Sequence, residues 1–182
     1  MLVRGSRYPF LSRRSFFSFP GTNSVQTYQV KKRLNFPPST LFEIVSSVDK
    51  YNEFVPFVTE SFVNKRDSKT GNPTEAGLRV GWQQFDEIFT CNLKCETDKC
   101  VIAESLTVSL FDKLHTEWKF TPIENPHIKQ TSCQVELNLT YSFKNPLYNT
   151  VSSLFSEQVT QLMLRAFESR ARELRVKEVS RK

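Results

Sequence analysis

The chain has two histidines, His115 in "LFDKLHTEWKF" and His127 in "ENPHIK". A Ser/His or Cys/His nucleophilic pair needs one of them as its base. His127 falls in a loop-like stretch beside Pro126. His115 abuts a strand, where it could face a cavity but a surface or hydrogen-bonded role is the simpler reading. Asp86 and Glu87 are adjacent, so on a strand they face opposite sides and make a poor acid/base pair. Glu117 alternates with Trp118 in the same way. Cys91, Cys95 and Cys100 follow a C-x3-C-x4-C spacing, Cys133 stands apart, and both histidines are distant from the trio. That spacing is not a zinc-knuckle spacing, and ordinary thiols in a reducing compartment are expected. There is no G-x-G-x-x-G, Walker A, G-x-S-x-G or H-E-x-x-H motif. The polar inventory assembles neither a catalytic mechanism nor a metal site.

The aromatic inventory is richer. Sixteen phenylalanines, five tyrosines and two tryptophans make 13% of the chain. Several cluster in "DKYNEFVPF" (Phe54, Phe57) and on strand-like segments (Phe85, Phe89, Trp118, Phe120). Each alone is readable as core packing. Together they point to an apolar cavity, which orients a ligand with few polar groups.

The elements that would position these residues follow from periodicity. "TYQVKKRLNF" alternates, with Tyr28, Val30, Lys32, Leu34 and Phe36 on one face, as in an antiparallel strand with one solvated side. "PPSTLFEIVSSV" predicts a short helix, with Thr40 and Glu43 spaced as a capping box. "DKYNEFVPF" predicts a second helical turn, stopped before Pro56. About six further strands follow. "LRVGWQQFDEIFTCNLKC" is long enough for two of them or one bent strand, with Gly81 a candidate bulge. "SCQVELNLTYSF" alternates most clearly. From Asn145-Pro146 the period becomes helical, and Tyr148, Val151, Phe155, Val159, Leu162, Met163 and Ala166 fall on one broad apolar face. A meander sheet with one dry face needs a cover, and the terminal helix is the element long enough to supply it. The expected class is α+β, a curved antiparallel sheet wrapped around a long C-terminal helix, with two short helices after the first strand.

The formal charge of +6 is unevenly placed. Residues 1–42 carry seven Lys/Arg and no acid, leaving a body with 18 bases against 19 acids. A nearly neutral body has no polyanion-attracting surface as a whole, so no nucleic-acid partner is expected. "VRGSRYPFLSRRSFFSFPG" combines arginines, serines and bulky apolar residues without an acid, the pattern of a mitochondrial presequence. Residues 1–25 are therefore assigned to a transit peptide, with cleavage expected between Ser15 and Thr22, and residues 26–182 to one domain.

"DKYNEFVPF", "LFDKLHTEWKFTP" and "NPLYNTVSSLFSEQVTQLMLRAFESRARELR" resemble, in order and spacing, the mitochondrial coenzyme Q-binding proteins of the START (polyketide cyclase-like) superfamily. The resemblance runs from about Tyr28 to Leu174. It implies a helix-grip fold whose cavity binds ubiquinone and related polyprenyl lipids, peripherally on the matrix side of the mitochondrial inner membrane. It also implies a lipid chaperone, not a catalyst, needed for efficient respiratory electron transport and ubiquinone biosynthesis. Synthesis or respiratory complexes are its implied neighbours, and no metal is implied. By matching positions, Pro56, Leu110, Trp118 and Phe120 are carried over as ligand or cavity residues. Tyr51, Phe54, Phe57 and Phe89 from the aromatic clusters, and Phe155, Val159, Leu162 and Met163 from the helix, complete the expected lining. The chain departs from the resemblance at Phe57, where many members have tryptophan, and at Val58, where many have a smaller residue. Trp118, Tyr51 or a backbone N–H could donate to the headgroup. Arg165, Arg170, Arg172 and Arg175 could meet an anionic membrane or remain a solvated helix end. Two other readings belong to the same superfamily: a cyclase- or hydratase-type enzyme, and a ribosome-associated module.

Overall fold

In the computed structural model, residues 25–82, 85–123 and 131–180 are described, though not the side chains of residues 82, 85, 147, 149–157, 178 and 179. The segment assigned to the transit peptide lies, up to residue 24, outside them. Seven strands and two α-helices alternate as β1 (Gln26–Leu34), α1 (Pro38–Ser46), a 3-10 helix (Val48–Glu53), β2 (Val58–Arg66), β3 (Pro73–Trp82), β4 (Phe85–Glu96), β5 (Cys100–Ser105), β6 (Phe111–Ile123), β7 (Ser132–Phe143) and α2 (Pro146–Ser180). The strands form one antiparallel sheet in the order β1-β7-β6-β5-β4-β3-β2. The expected α+β class, with α2 across the sheet's dry face, is what the chain forms.

Residue chemistry accounts for most of the elements. β1 alternates half-buried and exposed residues up to Arg33 and ends on the buried Leu34, as its sequence alternates. The long central segment is two strands, with Trp82 opposite Phe85 where they meet. Gly81 is not a bulge. The irregular steps lie on β2, between Val58 and Glu60 and on either side of Lys65, and on β6 between Phe111 and Lys113. Nor is there a capping box on α1: the helix starts at Pro38 with Pro37 as N-cap and no side-chain cap bond. Proline at the first helical position has no N–H to satisfy and a preset φ, so the helix begins two residues before Thr40. The 3-10 helix ends at Glu53, and Phe57 then takes a left-handed φ of 68°.

The core lies between the sheet's concave face and the helices. Val101, Trp118, Leu137 and Val30 stand abreast on β5, β6, β7 and β1. Cys133, Val135 and Leu137 of β7 are almost completely buried. Polar anchors fix α2 from two sides: Lys32 of β1 bonds Glu168 at 2.6 Å, and Arg170 bonds Glu53 of the 3-10 helix. Glu168 explains why a cation, Lys32, occupies the inner face of β1.

Candidate functional site

On α2 the buried ridge is Thr160, Leu164, Phe167 and Ala171, with Leu174 partly buried beside it. Among the described side chains this ridge is rotated by about a third of a turn from the expected apolar face, at 3.6 residues per turn. Leu162, expected to line the cavity, is 40% exposed, whereas Val159 and Met163 are half-buried flanks. Phe155 lies outside the described side chains. Thr160 and Ala171 add little hydropathy to the pattern, yet their small size lets the helix sit close to the sheet.

Phe167 is the centre of the packing. Its ring meets Trp118 at 4.8 Å, Tyr51 at 5.1 Å and Phe54 at 5.2 Å, the last two edge-on. Such edge-to-face pairs set ring positive edges against negative faces. Arg170 lies over the outer face of Phe54, 5.4 Å from its centroid. Phe120 is buried and edge-on to Phe42 of α1 at 6.4 Å. Together Leu34, Leu41, Ile44, Val45, Trp118, Phe120, Val135, Leu164 and Phe167 enclose an apolar cavity of about 10 Å³. Trp118 and Phe120 are thus brought together in this cluster. Leu164 and Phe167 complete the same cluster; their i, i+3, i+7, i+10 spacing with Ala171 and Leu174 was the signal available in the sequence.

The remaining expected residues divide between two places. Tyr51 is buried under Phe167, and its hydroxyl donates to the Val45 carbonyl at 2.5 Å. Burial, with Cys95 nearby, drives its pKa upward, so the phenol stays neutral. Pro56 is half-buried, and Phe57 is 40% exposed at the start of β2. Leu110 is buried before β6, and Phe89 packs edge-on to Phe111 at 5.3 Å. Phe111 stacks on Phe143 at 4.9 Å, and Phe143 meets Tyr148 of α2 at 5.6 Å. A second aromatic cluster therefore lies where α2 begins. Tyr148 donates to Glu87 of β4 at 3.1 Å, and this bond raises the pKa of the phenol.

The groups with catalytic potential are dispersed. His115 bonds Glu104 at 3.1 Å on the face of the sheet opposite Trp118. Burial pushes the Cys91 thiol up to about 12 and the Cys95 and Cys133 thiols up to about 11. Such thiols are protonated at neutral pH and poor nucleophiles. Among the described residues no three His, Cys, Asp or Glu side chains are grouped to hold a metal ion. Asp86 and Glu87 face opposite sides, as expected, and Asp86 pairs with Arg79 at 2.8 Å.

The comparisons with known proteins agree with this architecture. Residues 34–168 match the family described as polyketide cyclase / dehydrase and lipid transport. The chain is 44% identical over 176 residues to the mitochondrial coenzyme Q-binding protein COQ10 of Eremothecium gossypii, covering 94% of this chain and 85% of that one. It is 42% identical over 177 residues to the COQ10 of Saccharomyces cerevisiae, covering 94% and 83%. A START superfamily protein of Mycobacterium smegmatis superposes with a TM-score of 0.68 at 17% identity, over 81% of this chain and 98% of that one, which supports the fold alone. The chain belongs to the polyketide cyclase / dehydrase and lipid transport family and, within it, to the family of the mitochondrial coenzyme Q-binding proteins.

Proposed function

We propose that this protein binds ubiquinone and carries it as a non-catalytic lipid chaperone on the matrix side of the mitochondrial inner membrane. In that place it would serve respiratory electron transport and ubiquinone biosynthesis. The observation that carries this reading is the 42–44% identity to coenzyme Q-binding proteins along most of both chains. The interior is compatible with it: the inner surface around Trp118 is apolar, and each buried isoprene unit gains about 25 cal/mol per Å² of surface removed from water.

The space beneath Phe167 is far smaller than the roughly 300–1,000 Å³ of a typical ligand pocket. Among the described residues, a ligand entering that space requires α2 or α1 to move away from the sheet. Of the arginines considered for a membrane edge, Arg170 and Arg172 are paired with Glu53 and Glu168, and Arg175 donates to the Asn35 carbonyl. A better edge is Ile88, Leu106 and Val108, all more than half exposed, with Lys144 bonded to the Val108 carbonyl. Apolar side chains beside a cation suit an anionic lipid surface. Among the described residues no helix is long and apolar enough to cross a membrane.

The test is to purify the chain from mitochondria of a respiring yeast and analyse its lipid extract by mass spectrometry. Co-purifying ubiquinone or its isoprenoid precursors is expected. An extract free of both, while a known lipid carrier treated identically retains its cargo, refutes the reading.

A further inference from the structure

Glu87 is out of keeping with its surroundings. By strand alternation it shares the concave face with Phe89, Cys91 and Leu93, and it stands opposite Val80. It is half-buried, and its Oε1 accepts the Tyr148 hydroxyl at 3.1 Å. Beside it the Phe89, Phe111, Phe143 and Tyr148 rings form an unbroken aromatic series, with successive centroids 5.3, 4.9 and 5.6 Å apart. One carboxylate and one phenol, set at the end of an aromatic run under the start of a long helix, are the components of a site for a flat ring bearing oxygens.

We infer that Glu87 and Tyr148, with the Phe89, Phe111 and Phe143 rings, form a headgroup site that takes a hydroquinone in preference to a quinone. The inference rests on the ubiquinone reading above and adds the redox form of the ligand. A quinone has two carbonyl oxygens and only accepts hydrogen bonds, whereas a hydroquinone has two O–H donors. The Tyr148 hydrogen is already committed to Glu87. What the pair offers a ligand is acceptor capacity, in the remaining carboxylate lone pairs of Glu87. A hydroquinone O–H adds to this arrangement without breaking a bond. A quinone carbonyl has to draw the Tyr148 hydrogen away and leave Glu87 without its donor. One net hydrogen bond distinguishes the two, which corresponds to about three- to tenfold in affinity. The potential of the bound couple then rises by about 30 mV per tenfold preference.

The experiment measures binding of decylubiquinol under argon, decylubiquinone in air and squalene, an isoprenoid without oxygen, to the full chain and to its Glu87→Gln and Tyr148→Phe variants. The wild type is expected to bind the quinol about three- to tenfold more tightly than the quinone. Glu87→Gln, whose amide donates to a carbonyl, should lose that preference; Tyr148→Phe, which keeps the accepting carboxylate, should retain it; both should keep wild-type affinity for squalene. The ratio within one protein sample is insensitive to its folded fraction, so partial unfolding of a variant does not imitate the effect. Equal affinities in the wild type, a preference that survives in Glu87→Gln, or one that is lost in Tyr148→Phe overturns the inference while leaving ubiquinone binding intact. A uniform loss for all three ligands in the variants also overturns it, because the pair then only fastens α2 to the sheet. Failure of the wild type to bind either quinone form refutes the ubiquinone reading and this inference with it.

Discussion

Replacing Trp118 with alanine removes an indole that is 5% exposed, flanked by Val101 and Leu137 and packed against Phe167 at 4.8 Å. The site already adjoins a void of about 10 Å³, so the deletion opens a cavity continuous with it. Buried Trp-to-Ala changes cost about 3–5 kcal/mol through lost transfer energy and unfilled volume. That is a large share of the roughly 5–15 kcal/mol that holds a domain folded. The unfolding temperature should fall by about 6–20 °C for a chain of this length. Urea unfolding followed by far-UV circular dichroism measures the loss, and an unchanged slope would confirm that the two-state comparison holds. Repeating the titration with decylubiquinone separates two roles. A ligand whose tail reaches Trp118 fills the new cavity and recovers part of the loss through binding to the native state. A ligand that stays at the Phe111–Tyr148 end leaves the gap between wild type and variant unchanged. A loss below about 1 kcal/mol without ligand would refute the packing argument itself.

Three further outcomes are expected. Gly77→Ala should destabilise by about 1–3 kcal/mol in the same urea assay, because a Cβ there would lie 2.4 Å from Phe62 Cζ and 2.8 Å from the Phe89 carbonyl oxygen; an unaffected midpoint would disprove this. Asp67, Glu75, Asp86, Glu117, Glu136 and Glu168 all have depressed pKa values in the fold, Glu168 because Lys32 and Arg172 outweigh the opposing effect of its burial. A carboxylate with a depressed folded pKa stabilises above its unfolded value, 3.8 for Asp and 4.5 for Glu, and loses that contribution as pH falls through the folded value. The urea midpoint should therefore drop progressively below those values, and a midpoint that rises on acidification would contradict the ion-pair assignments. Finally, Cys91 and Cys133 should react with Ellman's reagent only after denaturant is added, since both are buried; rapid labelling of all four thiols in the native protein would show that the sheet opens readily.

What was legible in the sequence was legible because it is local. The two-residue alternation of "SCQVELNLTYSF" reports which side chains of β7 meet the core, and Cys133, Val135, Leu137 and Tyr141 do so. The shift to a helical period at Asn145-Pro146 marks the start of α2 within a residue. The orientation of α2 was not legible in the same way. Hydropathy weights Leu162 above Thr160 and Ala171, but close approach of the helix to the sheet depends on size and selects the latter two. Lys32 was visible as an anomaly on an apolar face, while its partner Glu168 lies 136 residues away. The acceptor for Tyr51 was equally hidden, since it is a backbone carbonyl of α1. Glu87 looked unremarkable beside Asp86, and only the arrival of Tyr148 from a distant helix makes it unusual.

The sheet order has a kinetic consequence. Every neighbouring pair of strands is consecutive in the chain except β1 and β7, whose Thr27 and Thr140 hydroxyls meet across 113 residues. The β2-to-β7 meander can assemble by successive hairpins, each closing a short loop. β1 has no partner until β7 is complete, and closing that long loop is the entropic step that high contact order makes slow. A chain threaded N-terminus first through a membrane pore delivers β1 earliest and its partner nearly last. During that interval β1 is an unpaired edge, and its Lys31-Lys32-Arg33 triplet is the kind of charge that discourages strand-to-strand association between molecules. β1 docks on β7 along its whole length, with Lys32 reaching Glu168 of α2, and a chain truncated before β7 should form hairpins but leave β1 unpaired.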